Sequence, residues 1–452
     1  MILLLALAAQ TLAMGQTPLS LNEAVDLARK LYPAVQVSRF QVEAAAAGIL
    51  LARTSYLPRA DVIAQLNRAT RNNIYGMLLQ QPVISPISGP PVSENSAESA
   101  FGSAVGLLVD WEPFDFGLRR SKVDLAESTR RRTEAAVART QFEAGSAAAD
   151  AYLTILAAQE IVKAASASVE RCRVLTTVVE ALVKAELRPG ADAAAIRSEL
   201  ASAQAQVVRA RRAVADSKAV LAGLIAEQPA NILISEGKLL MTPGVAATGA
   251  QAQVDANPFA QEQSAVIDEA KAKLKTFDRQ WAPRFSIQGT TYARGTGAKP
   301  DFTSLGGANG LAPSYYNWGL GFTVRFPLLD QASVRALQAE QAAHVRTEES
   351  RQKLIVNELE TRRNRALAAV AAARELVQLA PVQLESARIA EVQAQARYQA
   401  GLATLVEVAD TQRRLSQAEI DDGLVRLNVW RGLLAVHAAA GDLGPLLEQA
   451  GH

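Results

Sequence analysis

Few side chains in this sequence are suited to covalent chemistry, and their spacing argues against catalysis. Cys172 is the single cysteine, which excludes an intrachain disulfide and a thiolate metal cluster. His344, His437 and His452 are scattered singly, the pattern of surface or packed histidines rather than of metal ligands. Neither His-Glu-x-x-His nor Gly-x-Ser-x-Gly occurs, and Gly295-Thr-Gly-Ala-Lys299 lacks the Gly-x-x-x-x-Gly-Lys-Ser/Thr spacing that cradles phosphate. The expectation is a protein that is not an enzyme and needs no cofactor or metal. One acidic pair draws notice: Glu407 and Asp410, just beyond Gly401 in Arg397-Tyr-Gln-Ala-Gly-Leu-Ala-Thr-Leu-Val-Glu-Val-Ala-Asp410. Locally they read as first-turn acids complementing the dipole of a helix that starts after Gly401.

The elements that must position this stretch are long helices. Ala-, Gln- and Glu-rich helical sequence approaches Gly401 and leaves it again, with Thr404 as a cap hydroxyl, so the stretch reads as the tip of a helical hairpin. A twin lies upstream at Ala185-Glu-Leu-Arg-Pro-Gly-Ala-Asp192, where Gly190 sits 211 residues before Gly401. From about Arg120 to Leu187 the helical sequence runs nearly 70 residues, or roughly 100 Å at 1.5 Å per residue. Pro381 is expected to kink its counterpart in the second half. Leu200, Ala203, Val207, Ala210, Val214, Ser217, Leu221 and Leu224 keep a 3,4 spacing, the seam of a coiled coil, with Leu424, Leu427, Trp430 and Leu434 as a ragged second version.

Composition bounds the use of such hairpins. The chain has 452 residues, 49% hydrophobic and 20% charged, with a net charge of +2 and no like-charge block, so a nucleic-acid partner is not expected. Residues 1–15, an apolar run ending in Ala13-Met-Gly15, read as a secretory signal peptide. Ser20 and Glu23 form a capping-box pair that opens the first helix. After Pro58-Arg59 and again after Pro283-Arg284 the period changes from helix to strand. Strands are expected at about 59–70 and 99–112, and again at about 284–294 and 315–327. Leu107, Val109 and Trp111 form one apolar face, as do Trp318, Leu320, Phe322 and Val324, with small or polar residues between them. Apolar residues and aromatics on one face suit a membrane barrel. Four strands cannot close on themselves in lipid, so several chains must share one barrel, and three would give twelve strands. The alternative is an exported periplasmic coiled-coil adaptor or structural protein without a pore, which leaves those strands unexplained.

The order of signal, helix, strand, loop, strand and long helical hairpin, repeated once, resembles the TolC family of outer-membrane efflux channels over nearly the whole mature chain. The local carriers are Trp111-Glu-Pro-Phe-Asp-Phe-Gly117, Phe326-Pro-Leu-Leu-Asp330 and above all Tyr398-Gln-Ala-Gly-Leu-Ala-Thr-Leu-Val-Glu-Val-Ala-Asp410. The resemblance implies an α+β membrane protein. In it a trimeric 12-stranded outer-membrane β-barrel, with four strands per chain, continues into a long periplasmic α-helical coiled-coil barrel. It implies an exit duct spanning from the outer membrane into the periplasm. Its partners would be two further copies of itself in a homotrimer, a periplasmic membrane-fusion adaptor, an inner-membrane transporter and outer-membrane lipid. The layout is then a first repeat over 16–226 with its tip at 190, a connecting segment over 227–256, a second repeat over 257–441 with its tip at 401, and a tail over 442–452. Matched residue by residue, Glu407 and Asp410 take the positions of acidic rings at the pore constriction, and Tyr398 that of a tyrosine that helps lock the closed state. Arg188, Pro189, Gly190 and Gly401 fall at tips that meet the adaptor. Ala403 replaces an arginine of the lock, and its polar partners fall on Ala195 and Ile196, which leaves a gate held by packing and by the acidic rings.

Overall fold

The computed structural model describes residues 18–74, 76, 89–244, 254–301 and 303–451. The expected signal peptide and His452 lie outside the described residues, as does part of the connecting segment. Helix α1 (Leu21–Leu31) opens on the expected capping box between Ser20 and Glu23. It is followed by α2 (Pro33–Thr54), β1 (Arg59–Thr70), β2 (Ser99–Phe114), α3 (Leu118–Lys184) and α4 (Gly190–Ile225). The second half repeats the series as α5 (Pro258–Asp278), β3 (Arg284–Thr296), β4 (Tyr315–Arg325), α6 (Gln331–Gln399) and α7 (Leu405–Ala440), and α8 (Gly444–Gly451) ends the chain.

One compact unit holds residues 43–131 and 266–348 and contains a single antiparallel sheet in the order β1-β2-β3-β4. Among the described residues, each of β1 and β4 therefore has an edge without a partner, which hydrocarbon does not tolerate. Register decides the faces. Ala60, Val109, Gly289 and Leu320 stand in one row, Val62, Leu107, Thr291 and Trp318 in the next, and Trp111, Ile287 and Phe322 in another. Directly opposed residues share a face, so Leu107, Val109, Trp111, Trp318, Leu320, Phe322 and Val324 all lie on one side. Asp61, Gln65, Asn67, Asp110, Gln288, Thr290 and Thr323 occupy the other side. Trp318 is 83% exposed and Leu320 74%, an apolar surface left bare within the chain. Three strand ends differ from expectation. Strand β2 continues to Phe114 across a register irregularity after Trp111, because Pro113 has no N–H for the ladder. Strand β3 reaches Thr296, where it is still paired with Gly102. Strand β4 stops at Arg325 because its partner β3 begins opposite it at Arg284, behind Pro283.

The other unit comprises residues 1–42, 132–265 and 349–452. Tyr152, Leu153, Ile155, Leu156, Leu221, Leu427, Trp430 and Leu443 are among its fully buried side chains. The described part of the connecting segment lies on this core: Ile232 and Leu239 are buried in it, the Tyr152 hydroxyl shares its one proton between the Ser235 and Leu19 carbonyls, and Trp430 Nε1 donates to the Met241 carbonyl at 3.0 Å. Of the α4 seam, Ala203, Val207, Ala210 and Leu221 are buried, as spacing alone indicates. Gly432 on α7 is needed where α6 crosses, since a Cβ there would stand 2.6 Å from Val370 Cγ2. Helix α6 is continuous through Pro381. One 18-residue window of α6 reaches a mean hydropathy of 1.2. Most of that window is exposed within one chain, whereas Ala366, Val370 and Ala373 of the same helix are buried in the core of this unit.

Candidate functional site

The two hairpin tips are built by the same backbone device. At the end of α3, Glu186 N–H donates to the Val183 carbonyl and Leu187 N–H to the Leu182 carbonyl; at the end of α6, Gly401 N–H donates to Tyr398 and Leu402 N–H to Arg397. This paired closure requires a left-handed residue just after the helix, supplied by Glu186 at φ 61° and Gly401 at φ 78°. Glu186 is thus the structural twin of Gly401, and a left-handed side-chain-bearing residue costs about 1–2 kcal/mol there. A search for glycine points instead to Gly190, which begins α4 behind the N-cap Pro189. The signal that finds Glu186 is the offset: 401 − 186 = 215, the same as 330 − 115 for the aspartates that precede α3 and α6.

Beyond Gly401, Thr404 caps α7 and accepts from Glu407 N–H at 3.3 Å, while the Glu407 carboxylate accepts from Thr404 N–H at 3.3 Å. Glu407 also stands 3.9 Å from Arg397 Nη2, and Asp410 pairs with Arg414 one turn along at 2.9 Å. Both acidic side chains are about half exposed, at 49% each, so these pairs are worth at most about 1 kcal/mol and leave both carboxylates open to solvent. Within one chain, Glu407 serves as a cap and Asp410 as a helix-surface acid.

Tyr398 is fully buried against Leu175, Val179, Ile196, Leu405 and Val408. Its hydroxyl donates to Asp192 Oδ2 at 3.0 Å, across 206 residues of sequence. Burial pushes this hydroxyl up to about 12, with the bond to Asp192 and its charge acting the same way, so it remains a donor throughout the neutral range. Arg188 donates from Nη2 to the Tyr398 carbonyl at 2.5 Å and lies over the ring, 4.4 Å from its centroid. The polar partner that sequence matching places at Ala195 or Ile196 is therefore Asp192, one turn nearer the tip. Ile196 packs beside Tyr398 in the apolar cluster instead. Arg188, expected to point toward a partner, folds inward onto the second hairpin, whereas Pro189, Gly190 and Gly401 are exposed. Leu187, 69% exposed, and Leu402, 71% exposed, carry no signature in the sequence and give each tip an open apolar residue.

Residues 24–227 and 251–442 match the model of the outer membrane efflux protein family. The chain belongs to that family. No curated protein matches it. Among solved structures it is similar to the CmeC outer membrane channel of Campylobacter jejuni, with a TM-score of 0.74 and 17% identity over 93% of this chain and 85% of that one. It is also similar to VceC of Vibrio cholerae, with a TM-score of 0.71 and 14% identity over 93% and 96% of the two chains. The open-state MtrE channel of Neisseria gonorrhoeae has a TM-score of 0.68 and 17% identity over 93% and 89%. As an outer membrane efflux protein the chain is an outer-membrane exit duct extending into the periplasm. Its four strands are one chain's share of a trimeric 12-stranded barrel, which gives the open edges of β1 and β4 their partners. The poreless coiled-coil alternative falls, since it has no use for the sheet. Members of the family work with adaptors and inner-membrane pumps.

Proposed function

We propose that this efflux protein is a passive duct, without catalysis of its own, whose periplasmic end is gated by the paired hairpin tips. The Tyr398 to Asp192 hydrogen bond, backed by Arg188, ties the second hairpin to the first and holds the gate shut. Glu407 and Asp410, one pair from each chain of the homotrimer, ring the constriction. Like charges brought together raise the local concentration of cations and favour divalent ones. The exposed tip residues Pro189, Gly190 and Gly401 meet a periplasmic membrane-fusion adaptor coupled to an inner-membrane transporter, and the Leu107, Val109, Trp111, Trp318, Leu320, Phe322 and Val324 face meets outer-membrane lipid. The observation that supports the gate most is that Tyr398, Asp192 and Arg188 join both tips within one chain.

The acidic rings are tested by single-channel recording of Glu407→Ala with Asp410→Ala in planar bilayers. The double variant is expected to lose cation preference and to be blocked less by divalent ions. Unchanged selectivity removes the rings from the mechanism.

A further inference from the structure

The apolar face of the sheet carries one charged residue that hydrocarbon cannot accommodate. Ala60, Val62, Ala64, Leu66 and Arg68 alternate on that face of β1, and their partners on β2 run from Val109 to Phe101. Arg68 lies at the end of the strands away from α3 and α6, which places it on the extracellular side. From Ala60 to Arg68 is eight residues, about 27 Å along a strand and about 20 Å along the membrane normal at a tilt of about 40°. An apolar band is about 25 Å tall, so Arg68 stands at its outer boundary, where head groups begin.

The guanidinium is held in place rather than trailing into solvent. Arg68 Nε donates to Ser99 Oγ at 2.8 Å, and its Cζ lies 5.0 Å from the centre of the Phe101 ring. Among the described residues no carboxylate pairs with it. The nearby Glu98 is engaged by Arg71, with Nη2 at 2.5 Å and Nε at 2.8 Å. A planar cation is therefore oriented above an apolar column, which suits a molecule that has phosphate at one end and acyl chains at the other.

We propose that Arg68 binds the phosphate of an outer-leaflet lipid head group whose acyl chains lie along Leu66, Ala64 and Val62. This rests on the outer-membrane placement above. The test uses wild-type, Arg68→Ala and Arg68→Lys trimers in phosphatidylcholine nanodiscs containing diphosphoryl lipid A, with lipid retained through washing counted by native mass spectrometry. A head-group charge pair of this kind predicts about fivefold less retained lipid A for Arg68→Ala, with Arg68→Lys retaining most of it. Ser99→Ala with Phe101→Leu, which leaves the charge but frees it to wander, is expected to fall in between. Equal retention by wild type and Arg68→Ala overturns the proposal, as does equal retention of dephosphorylated lipid A. Complete displacement by inorganic phosphate also overturns it, since the site would then take free phosphate. Conductance is recorded in parallel: a wild-type trimer without conductance contradicts the duct, whereas normal conductance with unchanged lipid retention removes the head-group site alone.

Discussion

Replacing Tyr398 with phenylalanine isolates one bond of the gate. The ring is fully buried among Leu175, Val179, Ile196 and Leu405, and phenylalanine keeps that packing and the face over which Arg188 lies. Only the O–H donated to Asp192 at 3.0 Å is lost. A hydrogen bond to a charged acceptor contributes about 1.5–3 kcal/mol, and water can reach the partly exposed Asp192, so the lower end applies, about 1.5 kcal/mol per chain. That is about tenfold in the open-to-closed ratio if each chain acts alone, and on the order of a thousandfold if three latches release together. Single-channel recording of Tyr398→Phe trimers distinguishes these by the rise in open probability. The sign with pH follows from the raised hydroxyl, which shifts from an ordinary 10 to about 12. Its stabilising contribution is fully present below pH 10 and is lost as pH rises through the interval to about 12, a loss that Tyr398→Phe should not show. Closed-channel behaviour identical to wild type, or additive effects of Tyr398→Phe and Asp192→Asn in a double-mutant cycle, would refute the latch.

Two further outcomes are expected. Glu186→Gly should relieve the left-handed strain at the first tip and stabilise it by about 1 kcal/mol, read as slower amide exchange at Leu187; no change, or faster exchange, contradicts the equivalence of Glu186 with Gly401. Leu320→Arg places a charge on the apolar face of β4, costs about 2–4 kcal/mol near the bilayer midplane, and should reduce heat-stable trimer on gels, whereas Thr323→Arg on the polar face should not.

Elements with a local signature were legible in the sequence. The capping box at Ser20 and the cap hydroxyl at Thr404 are patterns within four residues, and the structure forms both, the second also as a capping box closed by Glu407. The alternation of Trp318, Leu320, Phe322 and Val324 identifies a two-faced strand because side chains alternate with period two, independent of any neighbour. What the tip required was less visible: Glu186 reverses the chain where glycine is the usual residue, because backbone hydrogen bonds there outweigh the strain of its side chain.

By itself the sequence determined periods, caps and the internal repeat, and through them the kind of protein, since helix and strand propensities act over a few residues. The tertiary structure alone decided who meets whom. Asp192 and Tyr398 are 206 residues apart, and only the packing of one hairpin against the other selects Asp192 over Ala195 and Ile196. Arg188 is likewise a tip residue in sequence and a brace for Tyr398 in space, because a side chain on a reversal can turn outward or inward and the neighbouring ring settles which.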